Sequence, residues 1–197
     1  MTPQLVIFAR APRVGGVKRR LARDIGAVAA WRFYVNTLNS VVCRLARDPR
    51  WHTSLAVTPG PAQWPVDVPR LPQGPGTLGQ RMDRVMRTRP PGPVVIIGTD
   101  IPDIQAGHIV DAFAALGGHD AVFGPADDGG YWLVGLRRRP FIPRLDGPIR
   151  WSTEHALADT RRLFGPRVRS AMLETLTDID DAAALARWRR QRGASVG

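Results

Sequence analysis

The chain has 197 residues, 44% apolar and 23% charged, which fits one large globular domain over 1–197 rather than two independent ones. Lys+Arg 28 against Asp+Glu 17 gives a net charge of +11, which favours a polyanionic partner, whether nucleic acid, anionic membrane surface or nucleotide. Cys43 is the single cysteine, so no intrachain disulfide forms, no Cys/His zinc spacing exists, and the residue is expected to be a small packing group. No apolar run approaches the length of about eighteen residues that a membrane span needs, and the opening "LVIFA" follows no basic leader, so a cytoplasmic protein is expected.

Leu5 to Ala9 is a short apolar run, as expected of a central strand, and a loop with Pro12, Gly15 and Gly16 follows. From about Val28 to Leu45, apolar residues recur in steps of three and four, the mark of an amphipathic helix pressed on a sheet. "HTSLAVT" reads as a second strand, the Pro- and Gly-rich stretch from Pro59 to Gly76 as irregular, and "TLGQRMDRVM" as a helix. Val94 to Gly98 is the third strand, and Ile109, Phe113 and Leu116 line the helix after it. "DAVFGPA" and "YWLVGL" are two further strands around Asp127, Asp128, Gly129 and Gly130, and "STEHALADTRRLF" is helical. "VRSAMLE" is a candidate strand, "TDIDD" a turn and cap, and "AAALARWRR" a final helix. Alternating strands and helices predict an α/β protein, a three-layer α/β/α sandwich around a mostly parallel mixed sheet. Ligands of such sheets bind beyond the carboxyl ends of the strands, where the loop after Ala9 and the "GTDIPD" stretch face one crevice.

Four stretches carry candidate chemistry. In "ARAPRVGGVK", Gly15 and Gly16 let the backbone approach a ligand, and Arg10, Arg13 and Lys18 supply charge-assisted bonds to phosphate. The phosphate-binding candidates are therefore Ala9, Arg10, Ala11, Pro12, Arg13, Gly15, Gly16 and Lys18; the spacing is neither a Walker loop nor a GxGxxG turn. Asp100, at the end of a buried strand, is a candidate ligand of a hard cation, which takes oxygen donors and completes its shell with water and phosphate. Asp103 reads as the N-cap of the following helix. "DDGGYW" is either a tight turn or a substrate wall. In the second reading the Gly129 and Gly130 backbone meets a flat ring, Asp128 bonds hydroxyls, and Tyr131, Trp151 and Ser152 complete the pocket. In "TDIDD", a helix cap needs only one of Asp178, Asp180 and Asp181.

The ordered motifs "ARAPRVGGVKRRLA", "LGQRM", "VVIIGTDIPDI", "DAVFGPADDGGYWLVGL", "WSTEHAL" and "LTDIDDAAAL" resemble the bacterial family DUF2064, related to the glycosyltransferase A-type (GT-A) and nucleotidyltransferase superfamily. The resemblance spans nearly the whole chain and implies a nucleotide-diphospho-sugar transferase fold. In it the first loop holds nucleotide phosphates, Asp100 binds the metal, and Asp180 of "DIDD" is the second metal ligand. Family members usually carry lysine and threonine where Arg10 and Arg19 stand, and glutamate where Asp127 stands, so donor geometry at the nucleotide differs here.

The resulting expectation is a transferase dependent on Mg²⁺ or Mn²⁺, acting on a nucleotide-activated small-molecule substrate and an acceptor the sequence does not specify. Asp100 and Asp128 are its catalytic candidates, and glycosyl transfer is the leading reaction. Nucleotidyl transfer to a phosphorylated acceptor is the alternative. A basic non-enzymatic nucleic-acid binder is the rival from another class, but acidic residues in the crevice would oppose it, and no specific nucleic-acid partner is expected. Neither membrane span nor oligomeric state enters this reading.

Overall fold

A computed structural model describes residues 1–60, 62–64 and 67–194. In chain order the elements are β1 (Gln4–Ala9), α1 (Arg19–Ile25), α2 (Ala27–Ala46), β2 (His52–Val57), β3 (Arg70–Pro72), α3 (Leu78–Thr88) and β4 (Val94–Ile97). They continue with α4 (Ala106–Gly118), β5 (Ala121–Pro125), β6 (Tyr131–Leu136), α5 (Ala156–Phe164), β7 (Ser170–Met172) and α6 (Ala182–Ala194).

The seven strands form one sheet in the order β3-β2-β1-β4-β6-β5-β7. Strand β6 pairs antiparallel with both β4 and β5, whereas the pairs β1/β2, β1/β4, β2/β3 and β5/β7 are parallel. The period-two geometry of a strand explains why β1 and β4 are apolar throughout, since both faces are covered. Leu5, Ile7, Val95 and Ile97 face one layer, where Leu38 and Val42 of α2 and Ile109 and Leu116 of α4 pack. Val6, Val94 and Ile96 face the other, against Met82, Val85 and Met86 of α3 and Phe164 of α5. The fold is thus the expected mixed α/β sandwich. A third cluster, Leu21, Ala30, Ile179, Ala184 and Leu185, joins α1, α2 and α6.

Capping explains where the helices begin. Thr77 accepts from the Gln80 amide at 3.3 Å while Gln80 accepts from the Thr77 amide at 2.9 Å, a capping box that starts α3 inside "TLGQ". Gln105, not Asp103, stands at the N-cap of helix α4, where its amide donates to His108 Nδ1 at 3.1 Å, and Asp103 instead accepts from the Trp188 indole N–H at 2.9 Å. Asp181 caps α6 by accepting from the Ala184 amide at 2.7 Å.

Several expectations change. The stretch from Pro59 to Gly76 is not wholly irregular: Arg70–Pro72 adds an edge strand, where a proline is tolerated because one side of the strand needs no donor. Residues 61, 65 and 66 of that stretch lie outside the described residues. Helix α1 had no periodic signal because Leu21 is its one buried residue. Helix α5 starts at Ala156 rather than at Ser152, since Ser152 adopts a left-handed φ of 62° that an α-helix excludes. Cys43 is exposed, not packed, because the buried stripe of α2 runs through Tyr34, Leu38, Val41, Val42 and Leu45. Among the described residues no helix is long and apolar enough to cross a membrane.

Candidate active site

Strands β1 and β4 are parallel neighbours, so the loops leaving their carboxyl ends start side by side. The start of the first loop, residues 10–12, is pinned by three side chains, two from α2 and one from the end of β2. The Tyr34 hydroxyl accepts from the Arg10 amide and donates to the Arg10 carbonyl, both at 2.9 Å. The Ala11 amide donates to Thr58 Oγ1 at 3.0 Å, and the Trp31 indole donates to the Pro12 carbonyl at 2.9 Å. Burial raises the Tyr34 pKa, which keeps the hydroxyl a neutral donor and acceptor at this junction. The crest of the loop, Arg13 to Gly16, is exposed. Gly15 has φ 75°, with open space where a side chain would project.

Lys18 closes the loop, and its side chain is buried although Arg10 and Arg13 are exposed residues. Its side chain is 2% exposed, and its ammonium lies 2.8 Å from Asp100 Oδ1, 2.9 Å from Asp180 Oδ1 and 3.4 Å from Asp178 Oδ1. An ammonium has three N–H donors, and here three carboxylates face them. Burial by itself would lower the lysine pKa, but the fields of Asp100, Asp178 and Asp180 carry it well above its ordinary value. Burial pushes the Asp178 carboxyl far above the usual range, with Lys18 opposing and Asp100 and Asp180 adding to the rise.

The segment Asp178-Ile179-Asp180 alternates as an extended strand would. Ile179 is fully buried in the third cluster, and its amide donates to the Asp100 carbonyl at 3.4 Å. The flanking aspartates both reach Lys18. "TDIDD" is thereby accounted for: Asp178 and Asp180 on Lys18, Asp181 on the helix. Asp178 as a third carboxylate was missed as a site residue; the D-x-D spacing, with a buried residue between, was the signal that could have found it.

The remaining predicted residues take other places. Asp128 folds back on its own turn, accepting from the Gly130 amide at 2.8 Å. Gly129 has φ 82°, and a β-carbon there would sit 2.3 Å from the Glu154 carbonyl oxygen, so the 151–155 turn packs directly on it. The Tyr131 and Trp151 rings meet edge to face at 6.2 Å, and both pack on the second core cluster, whereas Ser152 is exposed. Asp127 links this turn to the carboxylate segment: its amide donates to the Leu176 carbonyl at 3.3 Å, and its carboxylate accepts from the Asp178 amide at 3.4 Å.

A second group at the carboxyl ends was not foreseen. Gln73, buried after β3, donates to the carbonyls of Ala9 at 3.2 Å and Ala56 at 2.8 Å, and accepts from Arg81 Nη1 at 2.8 Å. Arg81 makes no salt bridge among the described residues, and burial followed by repulsion from Arg10 lowers its pKa. The "LGQRM" motif thus places a cation beside the first loop.

This architecture is that of the nucleotide-diphospho-sugar transferases and nucleotidyltransferases. A 28% identical protein from Desulfovibrio desulfuricans G20, described provisionally as a nucleotide-diphospho-sugar transferase, superposes with a TM-score of 0.84 over 96% of this chain and 87% of its own. A CMP:2-keto-3-deoxy-manno-octonic acid synthetase complexed with CTP matches at 0.59 with 11% identity, over 99% of this chain and 100% of its own. Glucosyl-3-phosphoglycerate synthase of Mycobacterium tuberculosis, in complex with Mn²⁺, UDP and glucosyl-3-phosphoglycerate, matches at 0.53 with 13% identity, over 90% and 70%. The last two likenesses show the fold alone. No curated protein matches the sequence. Residues 34–153 match the family model described as "Uncharacterized protein conserved in bacteria (DUF2064)", and the chain belongs to that family.

Proposed function

We propose that the protein is a metal-dependent transferase that uses a nucleotide-activated substrate, with glycosyl transfer from a nucleotide-diphospho-sugar as its reaction. The observation that carries this reading is the convergence of Asp100 and Asp180 on one point at the carboxyl ends of the strands, directly beside the exposed glycine-rich loop. Their donor set suits a hard divalent cation, which needs one or two protein carboxylates and takes its other ligands from water and phosphate. Among the described residues no three His, Cys, Asp or Glu side chains are placed to hold a metal unaided, which fits an ion shared with a substrate. Mg²⁺ or Mn²⁺, when bound, would supply charge stabilisation for a departing diphosphate.

The protein's own groups would do the rest. Arg10 and Arg13, with the backbone amides around Gly15, would meet phosphate oxygens on the exposed side of the loop, while the Gly16 amide closes the turn onto the Arg13 carbonyl at 2.9 Å. Tyr34, Thr58 and Trp31 hold residues 10–12, which lead into the crest, in place before the ligand arrives, so less ordering entropy is lost on binding. Lys18 would act from beneath the carboxylates, not on the phosphates directly. Asp128 and the Gly129–Gly130 turn, with Tyr131, Trp151 and Ser152, would form the wall on the sugar or acceptor side.

Nucleotidyl transfer is a second reading, because an ion on the same pair of carboxylates, Asp100 and Asp180, would equally serve an attack at phosphorus. A thermal-shift panel of nucleoside diphosphates, nucleoside triphosphates and nucleotide sugars, each with and without Mg²⁺ or Mn²⁺, tests the class. Products formed from the stabilising nucleotide then separate the two reactions: a released nucleoside diphosphate marks glycosyl transfer, and pyrophosphate marks nucleotidyl transfer. No metal-dependent stabilisation by any nucleotide would overturn both.

A further inference from the structure

The carboxylate cluster already holds a cation, and it belongs to the protein. The Lys18 ammonium sits within 3.4 Å of all three aspartates, at the buried floor of the cluster, while the Asp100 and Asp180 side chains above it remain 53% and 42% exposed. A divalent ion reaching the outward side of those two carboxylates would stand only a few ångströms from a fixed positive charge. It would also compete for oxygens already polarised by that charge. The phosphates of a substrate remove this penalty by adding negative charge and oxygen ligands on the open side.

We propose that Lys18 is a resident counter-cation that suppresses binding of free divalent metal to Asp100 and Asp180, so that the metal enters only together with a diphosphate. This rests on the metal-dependent reading above and extends it to an order of assembly: the empty protein ignores free metal, and substrate and metal load as a unit. Lys18 is a positioning residue here, holding three like charges together until the substrate comes. Its left-handed backbone, φ 45° and ψ 50° at the start of α1, aims the side chain down from the loop into the cluster.

The test is Mn²⁺ titration calorimetry on the wild-type chain and on Lys18→Met, with the metal alone and with inorganic pyrophosphate. The wild type should bind free Mn²⁺ weakly and gain about tenfold or more in affinity with pyrophosphate, while Lys18→Met should bind free Mn²⁺ about tenfold or more tighter than wild type. In the variant, the gain from pyrophosphate should shrink. Lys18→Gln serves as a second neutral variant should Lys18→Met fail to fold, and Lys18→Arg, which keeps the charge, should keep free Mn²⁺ weak. Neutral variants that bind free Mn²⁺ no tighter than wild type would overturn the proposal, as would an Arg variant that tightens equally. A wild type indifferent to every nucleotide, beside a neutral variant that gains Mn²⁺, would remove the nucleotide reading and keep the suppression by Lys18.

Discussion

The Trp188 indole N–H donates to Asp103 at 2.9 Å, so the last helix is fastened to the loop that carries Asp100. Phe33 of α2 meets the same indole edge to face at 6.0 Å, which seats α6 against the front half of the chain. Because Asp178 and Asp180 directly precede α6, this contact helps fix where they stand. Trp188→Phe keeps the ring but removes the donor and should cost about 1 kcal/mol in denaturant unfolding. It should also weaken metal-dependent nucleotide binding, read by calorimetry; an unchanged affinity would detach α6 from the site.

The acidic run "DIDD" divides by role, and single variants should show it. Asp181→Ala removes the cap of α6 and should lower stability by about 1 kcal/mol, leaving nucleotide affinity intact. Asp180→Asn should do the reverse, abolishing the extra thermal shift that Mn²⁺ adds to a nucleoside diphosphate while changing the unliganded melting temperature less. Equal behaviour of the two variants in both assays would contradict the division.

Gly129 and Gly15 both have positive φ but differ in what surrounds them. Gly129→Ala would drive a β-carbon to 2.3 Å from the Glu154 carbonyl and should cost more than about 2 kcal/mol, displacing the 151–155 turn. Gly15→Ala meets nothing within 4 Å, so its stability cost should be near the left-handed backbone penalty alone, about 1–2 kcal/mol. Urea unfolding of both variants checks the order, and nucleotide titration of Gly15→Ala reports whether ligand approaches that crest.

Acid stability should depend on Asp159. Arg150 grips this carboxylate through Nε at 2.8 Å and Nη2 at 2.9 Å, and its backbone amide adds a third bond at 3.1 Å. The Arg150 hydrogen bonds hold the carboxyl well below its usual range. A depressed folded-state value means that the folded chain binds fewer protons than the unfolded one. The stabilisation is therefore complete above the unfolded value near pH 4 and is lost as pH falls toward the folded value. Asp159→Asn should lower the melting temperature at neutral pH and flatten its fall between about pH 5 and 2. A variant with the same acid slope as wild type would show that other carboxylates set it.

Much of the fold was legible because it rests on periodic patterns. Leu5–Ala9 and Val94–Gly98 read as buried strands, the second ending one residue earlier in the structure, since burial on both faces demands continuous apolar residues, and the three- and four-residue steps of α2 survive any tertiary context. Ordered motifs identified the family and directed attention to Asp100 and Asp180. Their shared location followed from the rule that ligands sit at strand carboxyl ends. What the sequence could not settle were contacts whose energy comes from distant partners. Lys18 sits in a glycine-rich loop and has the local look of an exposed phosphate ligand. Only the approach of distant residues, Asp100 from the end of β4 and Asp178 and Asp180 from before α6, turns it inward, because a buried ammonium is stable only where carboxylates are brought to meet it. Asp103 likewise has the local pattern of a helix cap, and the indole from α6 claims it instead. Local propensity chooses among nearby hydrogen-bond partners, whereas the sheet order decides which distant charges share a crevice, and that order was a product of the whole packed chain.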